Sequence, residues 1–202
     1  MASYFASFVK SPSSVPPAGR REPVALGPMR SAHESGIIVV RRGADYAATA
    51  RTMADLALES ACGGDVSGAR SFAEDAAVLL SPVDPAETPE AASAFLALGH
   101  AMLATSEAHQ ARAAYEDAVV GFEKAEDLRG AAHARLGLAH ALLELHEPAA
   151  RAVLEDAGAV FEDLGDEAMV ASVDACIRDA EARFSASPRS FATAHVPSRL
   201  AR

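Results

Sequence analysis

Apolar residues recur with helical spacing from about Asp45 to about Phe184, and the same arrangement returns three times. The stretches are RTMADLALESACGGDVSGARSFAEDAAVLL, ASAFLALGHAMLATSEAHQARAAYEDAVVGF and AHARLGLAHALLELHEPAARAVLEDAGAVF. Each opens on a helix with a leucine before a small residue: Leu56-Ala57, Leu98-Gly99, Leu136-Gly137. A polar or helix-breaking turn follows: Gly63-Gly64-Asp65, Thr105-Ser106-Glu107, His146-Glu147-Pro148. A second helix then carries the spacings Ala69/Ala73/Ala76, Ala111/Tyr115/Ala118 and Ala150/Leu154/Ala157. The copies are offset by 42 residues and then by 38 or 39. The links repeat too: GFEKAEDLRGAAHA from Gly121 matches VFEDLGDEAMVASV from Val160, 39 residues on. The second link therefore starts a further helix, about Asp166 to Phe184, with no partner after it. Such a helix, charged on its outer side, suits the end of a stack of repeats. Glycine inside a helix costs about 1 kcal/mol relative to alanine, so Gly99 and Gly137 are expected where a neighbouring helix leaves no room for a Cβ.

The two-helix unit, the leucine-glycine pair and the Ala…Tyr…Ala spacing resemble tetratricopeptide repeats, in a longer variety of about 39 residues. The resemblance covers residues 45–184. The first copy departs from it, with Ala57 for the glycine and Ala73 for the aromatic. It implies an all-α fold: a right-handed superhelix of about three hairpins plus a C-terminal capping helix. It also implies a concave groove lined by the first helices, at Arg51, Asp55, Leu58, Ser93, Leu96, His100, Leu103, Ala134, Leu138 and Leu142. That mixture suits an apolar peptide or helix of a partner protein with some basic character.

Composition supports the helices and divides the chain by charge. Half of the residues are hydrophobic, much of that is alanine, and there is no Trp. Alanine buries little area, so an alanine-rich core means closely approaching helices. The net charge of −10 conceals a partition. Residues 45–184 hold 26 acidic and nine basic side chains, a net −17, while 1–44 carry +4 and 185–202 carry +3. An acidic body repels nucleic acid and anionic membrane. The Ser/Pro/Arg-rich 1–44 and the basic 185–202 read as disordered tails. Two apolar islands in the first tail are candidate docking peptides. One is Tyr4, Phe5, Phe8 and Val9; the other is the β-prone GIIVVRRG run, with Ile37, Ile38, Val39, Val40, Arg41 and Arg42.

No nucleophile elbow, phosphate loop, dinucleotide fingerprint or zinc-protease motif occurs. The chain is read as non-enzymatic, with no catalytic residues, no cofactor and no metal. His133 and His140, seven residues apart and so on one face of a helix in the third copy, stand where the others have Met53 and Phe95, and Ser60 and Met102. Those are packing positions rather than ligands. The pairs Glu74-Asp75, Glu116-Asp117, Glu126-Asp127, Glu155-Asp156 and Glu162-Asp163 recur with the repeat and read as solvated faces. Cys62 and Cys176 are expected to be buried free thiols. The start of the chain is unlike a secretory signal and no run spans a bilayer. Arginine in place of lysine, with abundant alanine, fits a GC-rich bacterial genome. The expectation is a soluble cytoplasmic adaptor or assembly component that holds a peptide or helix of another protein in its groove. The alternatives are a regulatory module of a bacterial signalling or transcription system, and a structural protein that self-assembles through its tails.

Overall fold

A computed structural model describes residues 35–186, and over that range the chain is all-helical. Seven helices follow one another: α1 Ser35–Cys62, α2 Val66–Leu80, α3 Pro89–Ala104, α4 Ala108–Lys124, α5 Leu128–Glu144, α6 Ala150–Asp163 and α7 Glu167–Ala186. No strand occurs among the described residues. Consecutive helices pack as α1 on α2, α3 on α4 and α5 on α6, and α7 closes the series against α6. The predicted last helix, 166–184, differs from α7 by a residue or two at each end.

The first helix begins ten residues before the boundary drawn at Asp45. The Gly36–Gly43 run, with Ile37, Ile38, Val39, Val40, Arg41 and Arg42, is therefore the start of α1 and not a strand-prone segment of a disordered tail. The reason is cooperativity. Once the turns from Asp45 onward are held by packing, each further residue adds a hydrogen bond, and Ile and Val disfavour the helix by less than about 1 kcal/mol each. Tyr4, Phe5, Phe8 and Val9, with the rest of residues 1–34 and 187–202, lie outside the described residues.

Five of the six connections share one turn. Gly64, Ser106, Glu126, His146 and Gly165 all adopt left-handed backbone, with φ between 56° and 84°. In each, the left-handed N–H donates to a carbonyl three residues back, and the following N–H donates to a carbonyl five back. At the end of α3 these bonds are Ser106 N to Leu103 O, 3.1 Å, and Glu107 N to Met102 O, 2.8 Å. This double bond satisfies the orphan carbonyls of a helix end. Asp65, Asp127 and Asp166 then cap the next helix, accepting from the N–H groups of Gly68, Gly130 and Met169.

The exception is the link between α2 and α3. Residues 81–88 (SPVDPAET) form a longer loop capped by Thr88, whose hydroxyl accepts from Ala91 N at 3.1 Å. Gly121 of α4 lies directly beneath the Pro85 carbonyl of this loop, and a Cβ there would stand 2.7 Å from the Ala92 methyl. The extra residues account for the first offset of 42.

The core is alanine-rich, as composition requires. Ala47, Ala50, Ala54 and Ala57 make a fully buried stripe on α1, and Ala69, Ala73 and Ala76 one on α2. Large side chains concentrate later, with Tyr115, Leu136, Leu154 and Phe161 fully buried.

Candidate functional site

Helix α3 is covered on almost every side. Ten of its sixteen residues are buried, and its open positions after the first turn are Ser93, Leu96, His100 and Ala104, each partly exposed. Their spacing of three and four places them on one stripe. Leu103, expected on the same face, retains only 8 % exposure. On α1 the matching positions Arg51 and Asp55 are exposed, and Leu58 is partly buried against the core. On α5 Leu138 is likewise partly buried at the core's edge.

Two groove residues are corrected on α5. Ala134 is fully buried and Leu142 is 4 % exposed, so both belong to the core. Both neighbours of Ala134, His133 and Arg135, are partly exposed, and Arg135 forms an ion pair with Glu123 of α4. One residue of register separates Ala134 from Arg135, about 100° around the helix. A change of register does not account for the correction, because Leu138 keeps its expected place while its neighbour Ala139 is fully buried; Ala134 and Leu142 are instead covered by packing. The accessible stripe is thus Arg51, Asp55 and Leu58 on α1, Ser93, Leu96 and His100 on α3, and Arg135 and Leu138 on α5.

His100 ties this stripe to the interior. Its ring meets the fully buried Tyr115 edge-on, with centroids 5.5 Å apart. Burial pushes its pKa down from 6.5 to about 4, with smaller contributions from His140 and His133, so it is neutral at neutral pH. Asp55 is raised above the usual carboxylate range by burial, against the pull of Arg51. The stripe therefore has an uncharged centre with charged groups towards both ends.

Tyr115 also explains the glycines. A Cβ on Gly99 would stand 2.6 Å from its Cε1, and one on Gly137 closer still. The two glycines flank a single ring, Gly99 on α3 and Gly137 on α5, with Tyr115 projecting from α4. The close approach is thus between ring and backbone, rather than between two helix backbones. The first copy has no ring here, so Ala57 and Ala73 fit without glycine.

His133 and His140 have internal partners. The His133 Nδ1 lies 2.8 Å from the Arg129 carbonyl, and its ring meets Phe161 edge-on at 5.0 Å. His140 Nδ1 lies 2.7 Å from the Leu136 carbonyl, which only an N–H can satisfy. Its Nε2 is then an acceptor for the Cys176 thiol at 3.5 Å. Burial lowers the His140 pKa and raises that of Cys176, so the pair is neutral thiol and neutral imidazole, not an activated thiolate. Cys176 is partly buried and Cys62 is exposed, contrary to the expectation that both are buried; both are free thiols. Among the described residues no three His, Cys, Asp or Glu side chains group as metal ligands. No described helix is long and apolar enough to cross a membrane.

One set of residues escaped the sequence reading although it follows the period. Arg70, Arg112 and Arg151 are offset by 42 and 39, and each reaches beyond its own hairpin. Arg70 pairs with Glu107 at 2.9 Å, Arg112 with Glu147 at 2.9 Å, and Arg151 with Glu181 at 2.9 Å. The signal was an arginine at the same place in three second helices.

Compared with known proteins, the chain matches no family model, no curated protein and no solved structure.

Proposed function

We propose that the protein is a non-catalytic interaction module. In this reading its helical hairpins, similar to tetratricopeptide repeats, form a superhelix and hold an apolar peptide or helix of a partner protein across α1, α3 and α5. The observation that carries the proposal is the single open stripe of α3, at Ser93, Leu96 and His100, in a helix otherwise buried. Leu58 and Leu138 extend that stripe in the flanking copies. A face with an uncharged centre and charges towards both ends fits the helix-in-groove mode, in which apolar anchors supply affinity and the rim supplies register. The strongly acidic 45–184 region favours a basic partner. The basic segments 1–44 and 185–202 then add contacts to the same assembly. Adaptor or assembly component is the role such a module fills, in the cytoplasm of a bacterium.

The test is substitution of Leu58, Leu96 and Leu138 by serine, together, in the full chain. Partners captured from the source cell by the wild-type protein should be lost while the circular dichroism of the helices is retained. Undiminished capture with retained helicity overturns the groove.

A further inference from the structure

The carboxylate pairs of the second helices look equivalent in sequence: Glu74-Asp75, Glu116-Asp117, Glu155-Asp156. In space one differs. Asp75 and Asp156 are exposed, whereas Asp117 is partly buried and borders a cavity of about 330 Å³ between α2, the 81–88 loop, α3 and α4. The floor is Phe95, Leu98 and Met102 of α3, and Leu80 and Val83 form a wall. The floor residues each keep 6–7 % exposure. On the α2 and loop side the space is also edged by Ala77, Ser81 and Pro85, and on the α4 side by Gln110, Ala113 and Asp117.

No Lys or Arg lines this space. Asp117 forms no ion pair or hydrogen bond among the described residues, while its neighbour Glu116 is engaged by Arg112 at 2.8 Å. Burial and the Glu116 charge both hold the Asp117 carboxyl above its ordinary range. A cation brought to it would relieve both effects. Size and lining match the lower end of small-ligand sites: concave, mostly apolar, with few polar groups.

We propose that this cavity is a binding site for a small organic cation, an apolar aromatic or branched body ending in an ammonium or guanidinium group held by Asp117. The site shares no residue with the α1–α3–α5 stripe and does not depend on the partner-groove reading.

The experiment uses the full-length protein, labelled with nitrogen-15, titrated separately with phenylbutylamine, phenylbutanol and phenylbutyrate to millimolar concentration. The amine should bind about tenfold or more tightly than the alcohol, the acid should bind least, and the shifted amides should belong to α2, the 81–88 loop, α3 and α4. Asp117→Asn should reduce the amine to the affinity of the alcohol. Ala113→Leu, which adds bulk from an exposed position on the cavity wall, should block all three ligands while leaving helicity and melting temperature unchanged. Equal binding of amine and alcohol, an unaffected Asp117→Asn variant, shifts confined to other helices, or no binding at all overturns the proposal.

Discussion

The junction between the first and second hairpins and the junction between the second and third are built on different plans. At the first, α3 lies chiefly against α1, with less contact to α2. The alanine stripe of α1 there shares one apolar cluster with Phe95, Leu98 and Met102 of α3, the link is the 81–88 loop, and a cavity remains. At the second, α5 lies chiefly against α4, joined by a three-residue left-handed turn, and Tyr115 fills the space between Gly99 and Gly137. The same repeat is thus fastened once by a mixed apolar cluster and once by a ring seated between two glycines. A repeat sequence therefore predicts hairpins more securely than it predicts how they dock. Docking is decided by one or two bulky residues and by loop length.

The largest expected effect is at the ring. Tyr115→Ala should cost about 3–5 kcal/mol in denaturant unfolding. Gly137→Ala should cost at least about 1–3 kcal/mol, because its Cβ would stand inside contact distance of the ring. Tyr115→Leu imports the residue used at Leu154 in the third copy and should make Gly137→Ala far less costly. A double-mutant cycle that shows no coupling would break the comparison, since the glycines would then not be answering to the ring. In the first hairpin the matching change, Ala57→Gly, should cost only about 1 kcal/mol, the helix-propensity difference.

The next effect is in pH. The folded-state pKa of His100 is about 4, below its ordinary 6.5. Below 6.5 the unfolded chain takes up a proton that the folded chain resists, so stability is fully present above that pH. It should fall as pH drops from 6.5 to about 4, by up to roughly 2–3 kcal/mol for a fully buried group and less for this partly exposed one. His100→Leu, matching Leu58 and Leu138, should flatten the stability curve over that window. An unchanged slope would assign the acid sensitivity elsewhere.

A smaller gain is expected at the turns. Ser106, Glu126 and His146 hold left-handed backbone without being glycine. Replacing Ser106 or Glu126 by glycine should raise stability by about 0.5–1 kcal/mol, read from the denaturation midpoint. Smallest of all is Arg112→Ala, which removes the pair to Glu147 across the second junction. Its loss should be slight at low salt and vanish at high salt, as for an exposed ion pair.

The hairpins, their turns and the last helix were legible because each rests on local rules: helical period, caps, and residues near a left-handed bend. Gly99 and Gly137 were legible as tight places, but not what makes them tight, because the ring between them comes from a different helix. On α3 the partial exposure of Ser93, Leu96 and His100 agrees with the pattern, whereas Leu103 is buried. The pattern slipped at two positions of α5, Ala134 and Leu142, which helical packing covers although Leu138 on the same helix stays partly open, and a pattern of residues does not show which side a neighbouring helix covers. The start of α1 was missed because β-branched side chains argue locally for a strand while cooperativity argues for a longer helix. Asp117 could not be told from Asp75 and Asp156 by pattern, because the cavity beside it is assembled from α2, the 81–88 loop and α3, all distant in sequence.

The seat of Tyr115 carries one more consequence. A ring held between glycines of two different helices fits at one register only, because a Cβ on either glycine would meet it. The second junction therefore acts as a key in its slot and holds the second and third hairpins to one alignment.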